Sequence, residues 1–168
     1  FMANKVNFKG TPCKLAGEFI AKGAKAPSFK LVKKDLGEFS FEGKSDARLL
    51  LNIFPSIDTG VCAASVRKFN ELAAKMPNVK VLCISKDLPF AQGRFCAAEG
   101  IENVETLSDF RESSFAKDYG VLIEDGALKG LLARAIVIIS KEGEVSYCAL
   151  NSEITKEPDY DAALNALK

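Results

Sequence analysis

The spacing of apolar positions changes period several times along the chain, and each change marks an element. Val6-Asn7-Phe8 and Cys13-Lys14-Leu15, separated by Gly10-Thr11-Pro12, predict a short N-terminal hairpin. After a break from Gly23 to Pro27, Phe29-Lys30-Leu31-Val32 and Glu38-Phe39-Ser40-Phe41 flank a turn at Asp35-Leu36-Gly37. Arg48 to Phe54 is nearly all apolar, the signature of a strand covered on both faces. Helical spacing follows in Val66, Phe69, Leu72 and Ala73, until Met76-Pro77-Asn78 stops it. Val79 to Ser85 reads as a second buried strand.

Further on, the pattern predicts a helix over 90–98, a strand over 104–107 and a helix over 109–119 on which Phe110, Phe115 and Tyr119 face the core. Strands over 133–140 and 145–150 meet at Lys141-Glu142-Gly143-Glu144, a hairpin signal, and a helix over 159–167 closes the chain. A βαβ unit, an antiparallel pair and a terminal helix imply an α/β fold with a mixed central sheet and helices on both faces. The thioredoxin-like class has this order, and other α/β arrangements share it.

At 168 residues and 48% hydrophobic content, a single domain over 1–168 with one buried core is expected. Phe1 precedes Met2 and reads as a cloning remnant. Near it there is no apolar run of the roughly 7–15 residues a signal peptide needs, so the protein reads as cytoplasmic, with a periplasmic location left open. A formal charge of +1 with mixed signs argues against nucleic acid, and no apolar run is long enough for a membrane span.

The absence of His removes Ser-His-Asp and Cys-His pairs, imidazole bases and His-containing zinc sites. No metal site or cofactor is implied. Chemistry has to come from other groups, and five cysteines stand out. An odd count without regular spacing fits an intracellular thiol protein better than a disulfide framework. Cys83 and Cys148 lie in strands and read as small packing residues, while Cys13 sits in the hairpin, where partial exposure is expected. Cys62 follows Pro55-Ser56-Ile57-Asp58-Thr59-Gly60-Val61, between the buried strand and the long helix. Side-chain oxygens there are expected to cap the helix, and the unpaired N–H groups of its first turn favour a thiolate on Cys62. A reactive thiol and a cysteine that only packs are equally compatible with this position. Cys96, 34 positions later in Arg94-Phe95-Cys96, reads as a small helical residue, and the chain has no Cys-x-x-Cys pair.

The block from Phe54 to Asn70, with its Pro-x-x-x-Thr-x-x-Cys core, closely resembles the active-site signature of the bacterial thiol peroxidases, which are atypical two-cysteine peroxiredoxins. The resemblance continues through 81–92, Arg94-Phe95-Cys96, Tyr119-Gly120-Val121, 128–135 and 153–160, so it covers essentially the whole chain. It implies a thioredoxin-like (peroxiredoxin) fold with the N-terminal hairpin. By the same motifs it implies that Cys62 is the peroxidatic and Cys96 the resolving cysteine, forming a redox-active disulfide. Thr59 would orient the peroxide, Pro55 would shield the thiolate and Arg134, in Leu132-Ala133-Arg134-Ala135, would be the active-site arginine.

The activity so implied is reduction of hydrogen peroxide and alkyl hydroperoxides, with thioredoxin as reductant and a homodimer as the assembly. Two cysteines on separate helices are expected to begin too far apart for a disulfide, so a helix end should unwind during turnover, with Gly60, Gly93 and Gly100 nearby. A second reading is a redox-sensing switch or binding protein using the same disulfide without turnover. A switch has no need of Thr59, Pro55 and Arg134, whereas a peroxidase does. A general disulfide oxidoreductase is disfavoured by the missing Cys-x-x-Cys. Asp125-Gly126 and Lys129-Gly130 read as turns, and Lys33, Lys34 and Lys141 as solvated surface.

Overall fold

The computed structural model describes residues 4–112 and 114–168; Phe1, and with it the expected start at Met2, lies outside them. The strands are β1 (Lys5–Phe8), β2 (Thr11–Lys14), β3 (Phe29–Lys33), β4 (Glu38–Phe41), β5 (Arg48–Ile53), β6 (Val79–Ser85), β7 (Glu105–Ser108), β8 (Ala135–Ile139) and β9 (Val145–Leu150). The helices are α1 (Gly60–Ala73), α2 (Pro89–Glu99), α3 (Ser114–Asp118) and α4 (Tyr160–Ala166).

Seven strands form a mixed sheet in the order β4-β3-β7-β6-β5-β8-β9, and β1 and β2 form a separate antiparallel hairpin. Strand order follows burial. β5 and β8, apolar along almost their whole length, lie inside, while the more polar β4 and β9 take the edges. β5 pairs parallel with β6 and antiparallel with β8, so the crossover carrying α1 is the βαβ unit expected from the sequence.

Strand alternation sorts the core into two layers. Leu49, Leu51 and Ile53 join Leu82, Ile84, Phe115 and Tyr119 on one face. Leu50 and Cys83 join Val66 and Phe69 of α1 and Phe95 and Cys96 of α2 on the other. Truncating Phe69, which has no exposed surface, should cost roughly 3–5 kcal/mol. The turn between β8 and β9 requires Gly143: its φ is 87°, and a Cβ there would stand 2.1 Å from the Gly43 carbonyl oxygen.

Several expectations are corrected. The helix expected over 109–119 is shorter, Ser114–Asp118, with Phe110 outside it and 41% exposed instead of in the core. Lys86 explains the loss of the first turn. Its ammonium donates to the Asp109 carbonyl and lies 3.3 Å from the Asp109 carboxylate, committing the segment after β7 to other partners. Cys13 is buried because the hairpin closes over Leu15, Ile123 and Ile154. Cys148 is only partly buried, being on the edge strand β9.

Candidate active site

β5 delivers the chain to Phe54 at the carboxyl edge of the sheet, and the segment from Pro55 to Thr59 turns it into α1. Asp87, just past the end of the neighbouring strand β6, holds this turn. Its Oδ2 accepts from the Ile57 N–H at 2.7 Å and from the Ser85 hydroxyl at 2.6 Å, and its Oδ1 accepts from the Ser56 hydroxyl at 2.8 Å. Gln92 of α2 donates to Ser85 at 3.1 Å, so the turn before α1 and the start of α2 share one anchor.

Thr59 is the N-cap of α1, but its side chain does not cap the helix as expected. The hydroxyl instead donates backward to the Ser56 carbonyl at 2.9 Å, leaving its lone pairs as acceptors. The first i to i−4 bond of α1 runs from the Ala63 N–H to the Thr59 carbonyl at 2.9 Å. Cys62 is therefore the third helical residue, and its N–H precedes the helical ladder.

Cys62 is 1% exposed, and its sulfur lies 3.1 Å from Arg134 Nη2. Arg134 comes just before β8, is itself 1% exposed, and donates through Nε to the Ile154 carbonyl at 2.8 Å. Its Nη1 is buried with no hydrogen-bond partner among the described residues. Among the described residues no carboxylate lies within 4.0 Å of this guanidinium. A buried guanidinium is costly unless its donors find acceptors, and here it donates to the Cys62 sulfur and the Ile154 carbonyl while keeping one N–H for a further acceptor in the pocket.

A pocket of about 350 Å³ opens onto this pair. It is lined by Pro55, Thr59, Cys62 and Arg134 together with the apolar side chains of Phe8, Leu128, Leu131 and Ile154. The arrangement offers a sulfur nucleophile, an unused guanidinium N–H and a hydroxyl acceptor in one apolar recess. Such a site can take an electrophile with two adjacent oxygens, one attacked and one leaving.

Cys96 lies in the last turn of α2, 4% exposed, its sulfur 3.8 Å from the Thr106 hydroxyl of β7. The Cys96 carbonyl accepts from the Gly100 and Ile101 N–H groups that close the helix, with Gly100 at φ 65°. Cys62 and Cys96 belong to the same core layer, yet both are free thiols. An ion pair joins the two helices, Arg67 of α1 with Glu99 of α2, and a second ties Asp58, in the turn before α1, to Arg94 of α2 at 3.3 Å. Burial pushes the Cys83 thiol up to about 12, and its sulfur accepts from Asn52 Nδ2 at 3.7 Å. Asn52 also donates to Ser65 Oγ at 3.2 Å, and Ser65 donates to the Cys62 carbonyl at 2.7 Å.

The structure thus brings Pro55, Thr59, Cys62 and Arg134 together and puts Cys96 on an adjoining helix. Asp87, Asn52, Ser65 and Phe8 were not singled out from the sequence. Asp87 alone had a readable signal, being an acidic residue just after a buried strand at the sheet's carboxyl edge.

A family model described as Redoxin matches residues 21–164. The chain is 55% identical over 163 residues to the thiol peroxidase of Corynebacterium glutamicum, covering 97% of this chain and 98% of that protein. It is also 55% identical over 166 residues to the thiol peroxidase of Mycobacterium tuberculosis, with the same coverage. Among solved structures, a peroxiredoxin-like protein from Aquifex aeolicus superposes with a TM-score of 0.93 at 49% identity, over 98% of this chain and 95% of that one. The thiol peroxidase from Chromobacterium violaceum gives 0.89 at 26% identity, over 99% and 97%.

Proposed function

The chain belongs to the Redoxin family and, within it, to the thiol peroxidases, and from that premise we propose that Cys62 is its peroxidatic and Cys96 its resolving cysteine. The enzyme is a peroxidase of the peroxiredoxin type. The observation that carries the assignment of Cys62 is the buried Arg134 guanidinium donating to its sulfur with no carboxylate nearby among the described residues.

In the first step the Cys62 thiolate attacks the nearer oxygen of the hydroperoxide. The S–O bond forms as the O–O bond breaks, and the departing oxygen leaves as water or an alcohol once protonated. Arg134 Nη1, the unpaired donor, holds and stabilises the leaving oxygen. Thr59, already donating to Ser56, accepts the hydrogen bond of the peroxide O–H and fixes its approach. Pro55, buried beside the sulfur, keeps water from the thiolate. The sulfur ends as sulfenic acid, two electrons having moved to the peroxide.

Cys96 then attacks the Cys62 sulfenic sulfur and expels water, giving an intramolecular disulfide. The disulfide needs Cα atoms within about 7 Å and both thiols out of their packed positions. Each cysteine occupies a terminal helical turn, so melting one turn of α1 or α2 frees it without dismantling the sheet. A dithiol of the thioredoxin type reduces the disulfide and returns both thiols.

The reading takes residues 1–168 as one domain, which the packing of the hairpin onto Ile123, Ala133 and Ile154 supports. It includes a homodimer in a reducing, cytoplasmic compartment, where an odd set of free thiols persists. No helix among the described residues is long and apolar enough to cross a membrane. Steady-state peroxide consumption coupled to thioredoxin tests the assignment: Cys62→Ser should abolish turnover, and turnover at the wild-type rate would reject it.

A further inference from the structure

Glu153 is only partly buried, yet its carboxylate gathers four donors. Oε1 accepts from the Gly10 N–H at 2.8 Å; Oε2 accepts from the Lys9 N–H at 3.1 Å, the Thr155 N–H at 3.0 Å and the Thr155 hydroxyl at 2.8 Å. Lys9 and Gly10 are the two-residue turn between β1 and β2, both in the left-handed region at φ 52° and 82°. That is the turn a tight hairpin prefers, but a lysine resists the conformation. The carboxylate offsets this by binding both turn N–H groups at once.

The clamp docks the hairpin along the segment after β9. The Asn7 N–H donates to the Ser152 carbonyl at 2.7 Å, and the Ile154 N–H donates to the Asn7 carbonyl at 2.9 Å. Docked in this way, Phe8 and Lys9 line the Cys62 pocket together with Pro55 and Thr59. The Lys9 ammonium lies 5.3 Å from the centre of the Phe8 ring. The Glu153 carboxyl is held at about 2, below its usual range, chiefly by the Thr155 and Gly10 hydrogen bonds, so the clamp stays charged near neutrality.

We propose that Glu153 is a positioning residue that sets peroxide selectivity: by clamping the Lys9-Gly10 turn it holds Phe8 and Lys9 as a wall of the Cys62 pocket, which binds the apolar substituent of an organic hydroperoxide. The proposal rests on the reading of Cys62 as the nucleophile. Hydrogen peroxide carries no substituent, so its two oxygens meet only the sulfur, Thr59 and Arg134. A loosened wall therefore acts on organic peroxides selectively. A second route from Glu153 runs through Ile154, whose carbonyl holds Arg134 Nε, and a disturbance along that route would slow both peroxides alike.

The test is the ratio of kcat/KM for cumene hydroperoxide to that for hydrogen peroxide, measured in Glu153→Ala, Glu153→Gln and Phe8→Ala after each is checked for cooperative thermal unfolding. The ratio should fall about tenfold in Glu153→Ala and Phe8→Ala, mainly through KM for cumene hydroperoxide, and less in Glu153→Gln, which keeps one acceptor oxygen. A ratio within about twofold of wild type in Glu153→Ala, or a parallel fall for both peroxides, would overturn the proposal. If Glu153→Ala does not fold, an unchanged ratio in Phe8→Ala overturns it alone. Adding Cys62→Ser to each background separates the two readings: turnover surviving there refutes the nucleophile assignment, whereas a changed ratio bears only on the wall.

Discussion

Arg134 reaches the Cys62 sulfur at 3.1 Å although both residues are almost wholly buried. The guanidinium is so placed that its Nε is held by the Ile154 carbonyl while its Nη1 has no partner among the described residues. In the proposed mechanism it serves the attacking Cys62 sulfur and then the negative charge that moves onto the leaving peroxide oxygen. A fixed charge would there fill the stabilising role that an imidazolium plays in cysteine enzymes with histidine.

Arg134→Met should slow oxidation of Cys62 by roughly 10²–10³-fold while leaving the fold intact, since an apolar side chain of similar length fills the buried site. Arg134→Lys should recover only part of the loss, because an ammonium cannot serve the sulfur, the Ile154 carbonyl and a peroxide from one plane. Stopped-flow single turnovers with limiting peroxide measure both rates, and a rate for the methionine variant close to wild type would remove the arginine from the mechanism.

Thr59→Val removes the hydroxyl at nearly constant shape. The helix N-terminus loses no side-chain cap, because Thr59 provides none. Stability should therefore change little, while the rate of Cys62 oxidation falls by about 10²-fold. A large drop in thermal midpoint without a rate effect would show that the hydroxyl braces the turn through Ser56 instead.

Native alkylation at pH 8 should leave Cys83 unmodified. Its thiol is pushed up to about 12 by burial, and the thiolate is the reactive form. Burial raises Cys148 as well, although its partial exposure admits reagent. Mass spectrometry of iodoacetamide-treated protein reads the order directly, and early labelling of Cys83 would mean that β6 opens far more readily than its burial implies.

Stability in acid should report the Glu153 clamp. Its folded value of about 2 lies below the ordinary 4.5, so the unfolded chain binds the proton more readily between those limits. The contribution is present above pH 4.5 and disappears as pH falls toward 2. The thermal midpoints of wild type and Glu153→Gln should thus differ most near neutrality and converge in acid. A gap independent of pH would mean that the charge is irrelevant to the hairpin's attachment.

The central strands were legible because burial on both faces leaves an unbroken apolar run, as in β5, β6 and β8. The hairpin at Gly143 was legible through its turn residues, whereas the N-terminal one was legible only as a hairpin: its turn is Lys9-Gly10, and Thr11 and Pro12, read as part of the turn, belong to β2. The start of α3 was not, because Lys86 diverts the backbone at Asp109, a contact between segments 23 residues apart that periodicity does not record. At the site, the four residues of the Cys62 cluster came from a resemblance, while position at a helix start left Cys62 between a reactive and a packing role. What favours the reactive role is Arg134, 72 residues away in the chain and brought to the sulfur by the pairing of β8 with β5. Asp87 and Glu153 escaped notice for a related reason: a single carboxylate gains meaning only from the backbone donors that folding gathers around it.

The central claim, that Cys62 and Cys96 are the working pair, is tested most directly by mapping disulfides in the protein after one equivalent of peroxide under non-reducing digestion. The expected main product is a Cys62–Cys96 linked peptide, with Cys13, Cys83 and Cys148 still free, and sulfenic acid trapped at Cys62 in Cys96→Ser. Lasting sulfenic acid at Cys62 in the wild type, or a main disulfide that omits either cysteine, would contradict it.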